Sequence, residues 1–201
     1  MSLLLLAAAC AVVPCDVAVS AWFRRVPQDW LNRFEWFGHG SGLVLIALAI
    51  ASLEVGGWRR LPRLAVSVLG AGLAANVVKL TVARTRPRTL DLAAASAGET
   101  FVGWFPFLAG GSGHQSFPSA HSTVAAALAV ALSLAYPRGK WLFGGLAFLA
   151  CLQRVACQAH FASDALCGAA LGWSVAWLVA GAYGRQRAAT WARSPAANPP
   201  A

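Results

Sequence analysis

Arg154, His160 and Asp164 lie near the boundary between two long apolar runs, where lipid-facing sequence normally excludes charge. An ionisable side chain at membrane depth is costly unless it is paired or hydrated, so it indicates function by default. If the segment is helical, the carboxylate of Asp164 reaches the imidazole of His160 four residues earlier. The contact would fix the tautomer and leave the other ring nitrogen free for nucleophilic attack. Arg154 is off-face on a continuous helix, so the chain must turn between Arg154 and His160.

A second group of cations precedes a proline. Lys79 lies one turn inside an apolar run, and Arg86 follows seven residues later, which returns it to the same helical face. Pro87 favours extended backbone at Arg86, so the guanidinium can swing over the lysine. With Arg154, three cations would converge, and the nearby sequence lacks enough carboxylates to neutralise them. A bound polyanion such as phosphate is therefore expected.

The segment from Phe117 to His121 has the form of a helix start, with Ser119 as the expected N-cap. A helix N-terminus presents free amides and a positive dipole end, which makes it an anion site. His121 in the first turn would point at an anion bound there. We expect it on the same side of the membrane as His160 and the three cations.

Each group also has a structural interpretation. Snorkelling toward lipid headgroups explains Arg84 and Arg88 well, and Lys79 less well. The stretch 154–164 could hold a snorkelling arginine, a helix-capping aspartate and an incidental histidine. A lone histidine at a helix start, as His121 is, is more often structural than functional.

Together these groups predict phosphoryl transfer through a covalent intermediate. His160 is the expected nucleophile, Asp164 orients it, and His121 protonates the leaving oxygen and later activates water. The expected phosphate-binding groups are cations, a hydroxyl and helix-start amides, from Lys79, Arg86, Arg154, Ser119 and Ala120. No acidic cluster suitable for Mg²⁺ is visible in the sequence, so we predict a reaction without metal or cofactor.

The elements that position these groups must be membrane helices. Hydrophobic residues make up 58% of the 201-residue chain and charged residues 11%, which excludes a soluble domain of this length. The net charge is +9, and the basic residues lie mostly in short segments between apolar runs. This distribution is typical of topology signals and of contacts with lipid headgroups, so nucleic-acid binding is not expected. The five cysteines have no metal-ligand spacing and are interpreted as packing residues.

We predict an all-α fold, a six-transmembrane-helix bundle with spans at 3–20, 38–53, 64–82, 119–136, 141–157 and 162–183. Pro14 and Asp16 interrupt the first span, which could instead be a signal peptide. It lacks a positive n-region, so a retained helix is favoured. Residues 21–37 suit an interfacial amphipathic helix, or alternatively an aromatic belt. The glycine- and aromatic-rich stretch 81–117 predicts an active-site loop.

The expected organisation is one integral-membrane domain, 1–183, with the motifs at 79–164 and a poorly ordered cytoplasmic tail at 184–201. Six spans place all three motifs on one side of the membrane. Lys79, Arg86 and Arg154 are assigned to chemistry and are left out of the count of basic residues. The basic residues that remain are more numerous on the side opposite the motifs, which indicates that this side is cytoplasmic. The active site would then be extracytoplasmic.

Three motifs in this order resemble the tripartite signature of the type 2 phosphatidic acid phosphatases (PAP2), a superfamily that also includes vanadium haloperoxidases and glucose-6-phosphatase. The motifs are Lys79-x6-Arg86-Pro87, Pro118-Ser119-Ala120-His121 and Arg154-x5-His160-x3-Asp164. Two positions depart from the pattern. Ala120 stands where glycine is usual, and Gln153 stands where serine is usual.

The resemblance implies a phosphatase of a bacterial-type inner membrane, with its site facing the periplasm or exterior. Its substrate would be a lipid phosphate such as phosphatidate, phosphatidylglycerophosphate, undecaprenyl pyrophosphate or lipid A, and its other partners membrane lipids. One alternative is a phosphotransferase, or a phosphatase for a non-lipid phosphoester at the membrane surface. Another is a non-enzymatic channel or headgroup-binding scaffold, which would function without His160.

Overall fold

The computed structural model describes residues 1–26, 29–106 and 112–192, with side chains as far as residue 185. Most of this part of the chain is helical. The helices are α1 (Ser2–Val12), α2 (Asp16–Arg25), α3 (Gly40–Leu53), α4 (Leu61–Lys79), α5 (Ala120–Ala135), α6 (Lys140–Ala156) and α7 (Ala162–Ala192), and the strands are β1 (Val82–Arg84) and β2 (Phe101–Trp104). Short 3₁₀ helices connect several of them, the longest being Asp29–Gly38.

The centre of the bundle is α5, which packs against α4, α6 and α7. Glycines let α7 approach it closely. A Cβ atom at Gly172 would lie 1.9 Å from the carbonyl oxygen of Thr123, and one at Gly168 would lie 2.5 Å from that of Ser119. Small residues spaced by four are a common means of close packing between membrane helices. Here they join the starts of the two helices, where the Ser119 amide donates to the Asp164 carbonyl over 3.1 Å.

Among the described residues, three helical stretches are long and apolar enough to cross a membrane: Ser2–Arg25, Gly57–Lys79 and Ala162–Arg185. Asp29–Gly38 and Gly40–Leu53 pass the same test together, although they are bent by 62°, which allows a fourth span. α5 is apolar but shorter. The chain is an integral membrane protein, while the predicted total of six spans stays a prediction.

The 3₁₀ helix Asp29–Gly38 packs on α6. Leu31 and Phe37 are buried, and Asn32 accepts a hydrogen bond of 3.1 Å from Gln153 on α6. The sequence predicted an amphipathic helix in the headgroup plane for this region, and its position relative to the membrane stays a prediction. Its consequence for the site is that Glu35 is held beside α6.

The predicted active-site loop contains a two-stranded antiparallel sheet that the all-α prediction did not include. Val82 pairs with Trp104 and Arg84 with Phe101, with an irregularity between Ala83 and Arg84. Such a bulge breaks the alternation of a strand, so Ala83 and Arg84 are both buried although they are neighbours. Residues 107–111 of the predicted loop lie outside the described residues.

α7 continues as far as Ala192, beyond the predicted end of the membrane domain at residue 183. Residues 193–201 of the predicted tail lie outside the described residues. The division of the chain into 1–183 and 184–201 stays a prediction.

Candidate active site

His160 lies in the reversal between α6 and α7. α6 ends at Ala156 and α7 begins at Ala162, so the chain turns between Arg154 and His160, as the sequence predicted. The amide of His160 donates to the carbonyl of Arg154 over 3.1 Å, and this bond closes the turn. The His160 side chain is only 3% exposed.

Lys79 and Arg86 converge on one backbone oxygen. The Lys79 Nζ and the Arg86 Nη2 lie 3.0 and 3.4 Å from the Gln115 carbonyl oxygen. Arg86 also donates from Nη1 to the carbonyl of Ala159, the residue before His160, over 3.3 Å. Its backbone is extended, with φ −76° and ψ 145°, as the following proline predicted. Neither cation has a carboxylate partner within the described residues.

The surroundings of His160 favour its neutral form. Burial, followed by the positive charges of Lys79, Arg86 and Arg154, holds the pKa of the His160 imidazole well below its ordinary value. The Nδ1 atom lies 2.6 Å from the Ser116 carbonyl oxygen, which can only accept a hydrogen bond, so Nδ1 carries the proton. Nε2 then holds a free lone pair, as a nucleophile requires.

The structure corrects the predicted contact between Asp164 and His160. Because α7 begins only at Ala162, the two residues do not share a helical face, and the hydrogen bonds of the Asp164 carboxylate go elsewhere. Its Oδ2 accepts from the Ser116 hydroxyl over 2.6 Å and from the Phe161 amide over 3.0 Å. Asp164 therefore acts on His160 indirectly, by holding the residue whose carbonyl binds Nδ1.

The interpretation of Arg84 as a snorkelling side chain is wrong. A snorkelling side chain would reach solvent, and Arg84 is 0% exposed. Its Nη1 lies 2.5 Å from Oδ1 of Asp164, and its Nη2 lies 2.7 Å from Oδ2 of Asp16. Both carboxylates are fully buried as well. Arg84 is thus an internal counter-ion that joins the start of α2 to the start of α7.

The remaining surface of the Arg84 guanidinium is also occupied. Nε donates to the Thr100 hydroxyl over 3.0 Å, and Nη1 donates to the Ser163 hydroxyl over 2.7 Å. The guanidinium carbon lies 4.3 and 4.2 Å from the ring centres of Phe101 and Phe161. Such extensive pairing offsets the desolvation cost of a buried charge, and with no exposed surface the guanidinium is closed to a ligand.

Glu35 is the site residue that sequence reasoning missed. Its Oε1 lies 2.6 Å from Nη1 of Arg154 and 3.7 Å from Nε2 of His121, so a single oxygen sits between the two groups. Arg154 is therefore partly neutralised, whereas Lys79 and Arg86 have no carboxylate partner within the described residues, so the three cations are not all neutralised. Among the described residues, the Nε of Arg154 and the Nε2 of His121 are buried without a hydrogen-bond partner, so both can bond to a ligand.

The helix start also forms as predicted. Ser119 is the N-cap of α5, and its hydroxyl accepts from the Ser122 amide over 3.3 Å. Ser119 is fully buried, so a contact between its hydroxyl and phosphate stays a prediction, as does the role of the Ala120 amide. His121 lies in the first turn with its ring stacked on His39 at 5.9 Å between centres.

Two contacts that the sequence analysis missed, those of Asp16 with Arg84 and of Gln153 with Asn32, had some signal in the sequence. Asp16 is an acid inside an apolar run and so demands a partner, although the sequence does not say which one. Gln153, which departs from the family pattern, donates to Asn32 and accepts from Arg154 over 3.3 Å. It thereby fixes the 29–38 segment against the motif. No local pattern pointed to Glu35.

A family comparison agrees with this geometry. The model of the PAP2 superfamily matches residues 60–188, which include all three motifs. The chain belongs to the PAP2 superfamily. Among curated relatives, a lipid A 1-phosphatase of Rhizobium etli is 33% identical over 121 residues, covering 59% of this chain and 48% of the relative. A lipid A 1-phosphatase of Rhizobium johnstonii is 34% identical over 108 residues, covering 53% and 41%. The chain thus spans about half the length of the curated relatives it matches.

Solved structures show the same fold. A transmembrane PAP2-type phosphatidylglycerolphosphate phosphatase from Bacillus subtilis aligns with a TM-score of 0.58 at 24% identity, covering 92% of each chain. LpxE of Aquifex aeolicus aligns with a TM-score of 0.62 at 17% identity, covering 83% of this chain and 95% of that one. At these identities the likeness concerns the PAP2 fold alone.

Proposed function

We propose that this protein is a membrane phosphatase that hydrolyses a lipid phosphate through a phosphohistidine at His160. The observation that carries the proposal is the state of the His160 ring. Its Nδ1 is fixed on the Ser116 carbonyl, and the charges of Lys79, Arg86 and Arg154 act on it. A neutral imidazole with a free Nε2 beside three cations can attack phosphorus.

In the first step, Nε2 of His160 forms a bond to phosphorus while the bond between phosphorus and the lipid oxygen breaks. The leaving oxygen takes the electron pair and receives a proton from His121. Lys79, Arg86 and Arg154 stabilise the negative charge that spreads over the remaining phosphate oxygens. Side-chain cations supply this stabilisation, so we propose that activity survives EDTA.

In the second step, water attacks the phosphohistidine. His121, now neutral, takes a proton from the water as the new P–O bond forms. The N–P bond breaks and its electron pair returns to Nε2, which restores neutral His160 and releases inorganic phosphate. The Ser116 carbonyl keeps the proton on Nδ1 in both steps, so attack and departure use the same ring nitrogen.

Glu35 occupies the position that a phosphate oxygen takes in this mechanism. Its carboxylate lies between Arg154 and His121, the groups assigned to bind phosphate and to protonate the leaving oxygen. Two anions cannot share these donors without strong repulsion. An incoming phosphate therefore displaces Glu35 from Arg154, and the carboxylate competes with substrate and with product phosphate.

A lipid phosphate is the proposed substrate because the site belongs to an integral membrane protein, in which a phosphate carried by a lipid is close at hand. The two curated relatives are lipid A 1-phosphatases, which makes the 1-phosphate of lipid A the first compound to test. We place the protein in a bacterial-type inner membrane as a six-span domain of residues 1–183 with the site on the periplasmic side. The excess of basic residues on the opposite side, counted without Lys79, Arg86 and Arg154, supports this orientation.

The proposal is tested by phosphate release from purified protein with EDTA present. The substrates are lipid A, phosphatidylglycerophosphate, phosphatidate and undecaprenyl pyrophosphate, with glycerol phosphate as the soluble phosphoester. We expect release from at least one lipid and little from glycerol phosphate. Release from glycerol phosphate alone would contradict the lipid assignment, and loss of all activity with EDTA would contradict the metal-free mechanism.

A further inference from the structure

A second basic region lies at the opposite end of α4 from the candidate active site. Arg59, Arg60 and Arg63 line a cavity of about 540 Å³ near the start of this helix, whereas Lys79 lies at its end. A helix rises about 1.5 Å per residue, so Arg63 and Lys79 are about 24 Å apart along α4. The cavity is therefore separate from the phosphate site and lies near the other membrane surface.

The charges in this cavity are unequally paired. Glu54 contacts Arg60 over 2.7 Å and accepts a hydrogen bond from the Tyr136 hydroxyl. Within the described residues, the guanidinium groups of Arg59 and Arg63 have neither a carboxylate nor a carbonyl acceptor, and Arg59 lies over the Trp58 ring at 5.6 Å. Two positive charges thus line the cavity with no counter-ion from the part of the chain that the structure describes.

The cavity is lined by apolar side chains deeper in the bundle. Leu64 and Ala131 lie one helical turn further inward than Arg60 and Ala135. The deeper lining is completed by Ile50, Leu134 and Ala180. A charged mouth above an apolar wall matches a molecule with an anionic head and a hydrocarbon chain. A small inorganic anion would leave this wall unused.

We propose that this cavity binds the phosphate headgroup of an anionic phospholipid, with an acyl chain against the apolar wall. Arginine forks bind phosphate oxygens bidentately, and the free groups of Arg59 and Arg63 supply two such forks. A general excess of basic residues on one side of a membrane sets topology. It does not by itself create a cavity in which two arginines lack counter-ions. The proposal does not depend on the function assigned to His160.

The first test is native mass spectrometry of the full chain in detergent, titrated with phosphatidylglycerol, phosphatidylcholine or inorganic phosphate. We expect one saturable phosphatidylglycerol, and weak binding of the other two. Arg59→Gln/Arg63→Gln should weaken phosphatidylglycerol binding about 30-fold. Arg138→Gln is the control. It removes a charge from the turn between α5 and α6, which does not line the cavity, and it should leave the affinity unchanged.

Two further variants distinguish a specific site from loss of fold. Glu54→Gln frees Arg60 and should tighten phosphatidylglycerol binding, an effect that a damaged fold would not give. Ala180→Phe fills the apolar part without changing charge and should weaken lipid binding. Equal losses for Arg138→Gln and the double variant, or inorganic phosphate binding as tightly as phosphatidylglycerol, would overturn the proposal.

Discussion

Arg84 and Arg86 are two residues apart and have opposite environments. Arg84 is fully buried between Asp16 and Asp164, and its guanidinium donates four hydrogen bonds to protein oxygens. Arg86 is half-buried and binds only backbone carbonyls within the described residues. One guanidinium is neutralised by the fold, and we propose that the other binds an external anion. From this difference we infer that a cation's partners, more than its place in a motif, decide whether it stabilises the protein or remains available to a ligand.

The largest stability effect should come from Arg84→Met, because it leaves Asp16 and Asp164 buried without a counter-ion. Removing one member of a buried charge group typically costs about 3–5 kcal/mol. We therefore expect a large drop in the thermal unfolding midpoint in detergent. A midpoint close to that of the unchanged protein would break the comparison, since Arg84 would then not be an internal counter-ion.

The double variant Arg84→Met/Asp16→Asn sharpens the same point. It removes one of the two carboxylates that Arg84→Met leaves unpaired, so it should be more stable than Arg84→Met alone. Coupling within such a network is typically about 0.5–3 kcal/mol. Simple addition of the two single effects would argue against a direct charge contact between Arg84 and Asp16.

Arg86→Gln should show the reverse behaviour. We expect kcat/KM for the lipid phosphate to fall about 10²- to 10³-fold, the usual loss for one donor to a charged transition state. The unfolding midpoint should change little, because no buried carboxylate loses its partner. Arg88→Gln is the matched control, since Arg88 is exposed and is not assigned to the site. Equal losses for both variants would mean that general charge, not position, determines phosphate binding.

Glu35→Gln should have a smaller effect with the opposite sign. Removing the carboxylate that competes for Arg154 should tighten inhibition by inorganic phosphate about fivefold or less, because a partly exposed ion pair is worth about 1 kcal/mol at most. The steady-state inhibition constant for phosphate measures this. Glu99→Gln is the control, at an exposed acid that accepts two hydrogen bonds from Ser96 and is not assigned to the site. Weaker inhibition in Glu35→Gln would show that Glu35 supports Arg154 instead of competing for it.

The free energy of unfolding should depend on pH because the pKa of His160 is lowered in the folded protein. Its unfolded-state value is about 6.5, so the neutral ring stabilises the fold fully above that pH. This contribution is lost as pH falls below about 6.5 toward the folded pKa, because the unfolded state binds the proton first. His160→Asn should therefore flatten the fall in stability over this acid range. An unchanged slope would mean that His160 is already protonated in the folded protein.

The sequence was sufficient where local rules decide the geometry. The proline after Arg86 required extended backbone there, and the Pro-Ser pair required a helix start at Ser119. The spacing of Arg154 and His160 required a turn. These positions agree with the structure because each depends on a few neighbouring residues.

The parts that the sequence did not reveal depend on distant contacts. Asp16 meets Arg84 from 68 positions away, and Glu35 meets Arg154 from 119 positions away. Neither separation leaves a periodic signal. The predicted Asp164–His160 contact assumed one helix where the chain has a turn, and the small sheet depends on pairing across the loop. Pairing over such distances is set by packing, for which no local pattern exists.

The central claim is tested most directly by trapping the intermediate. Purified protein is mixed with a lipid phosphate substrate identified by the release assay, quenched at alkaline pH within the first turnover, digested and mapped by mass spectrometry. The account predicts a phosphoryl group on His160, and none when the experiment is repeated with His160→Asn. A phosphoryl group on His121, or turnover that persists in His160→Asn, would contradict it.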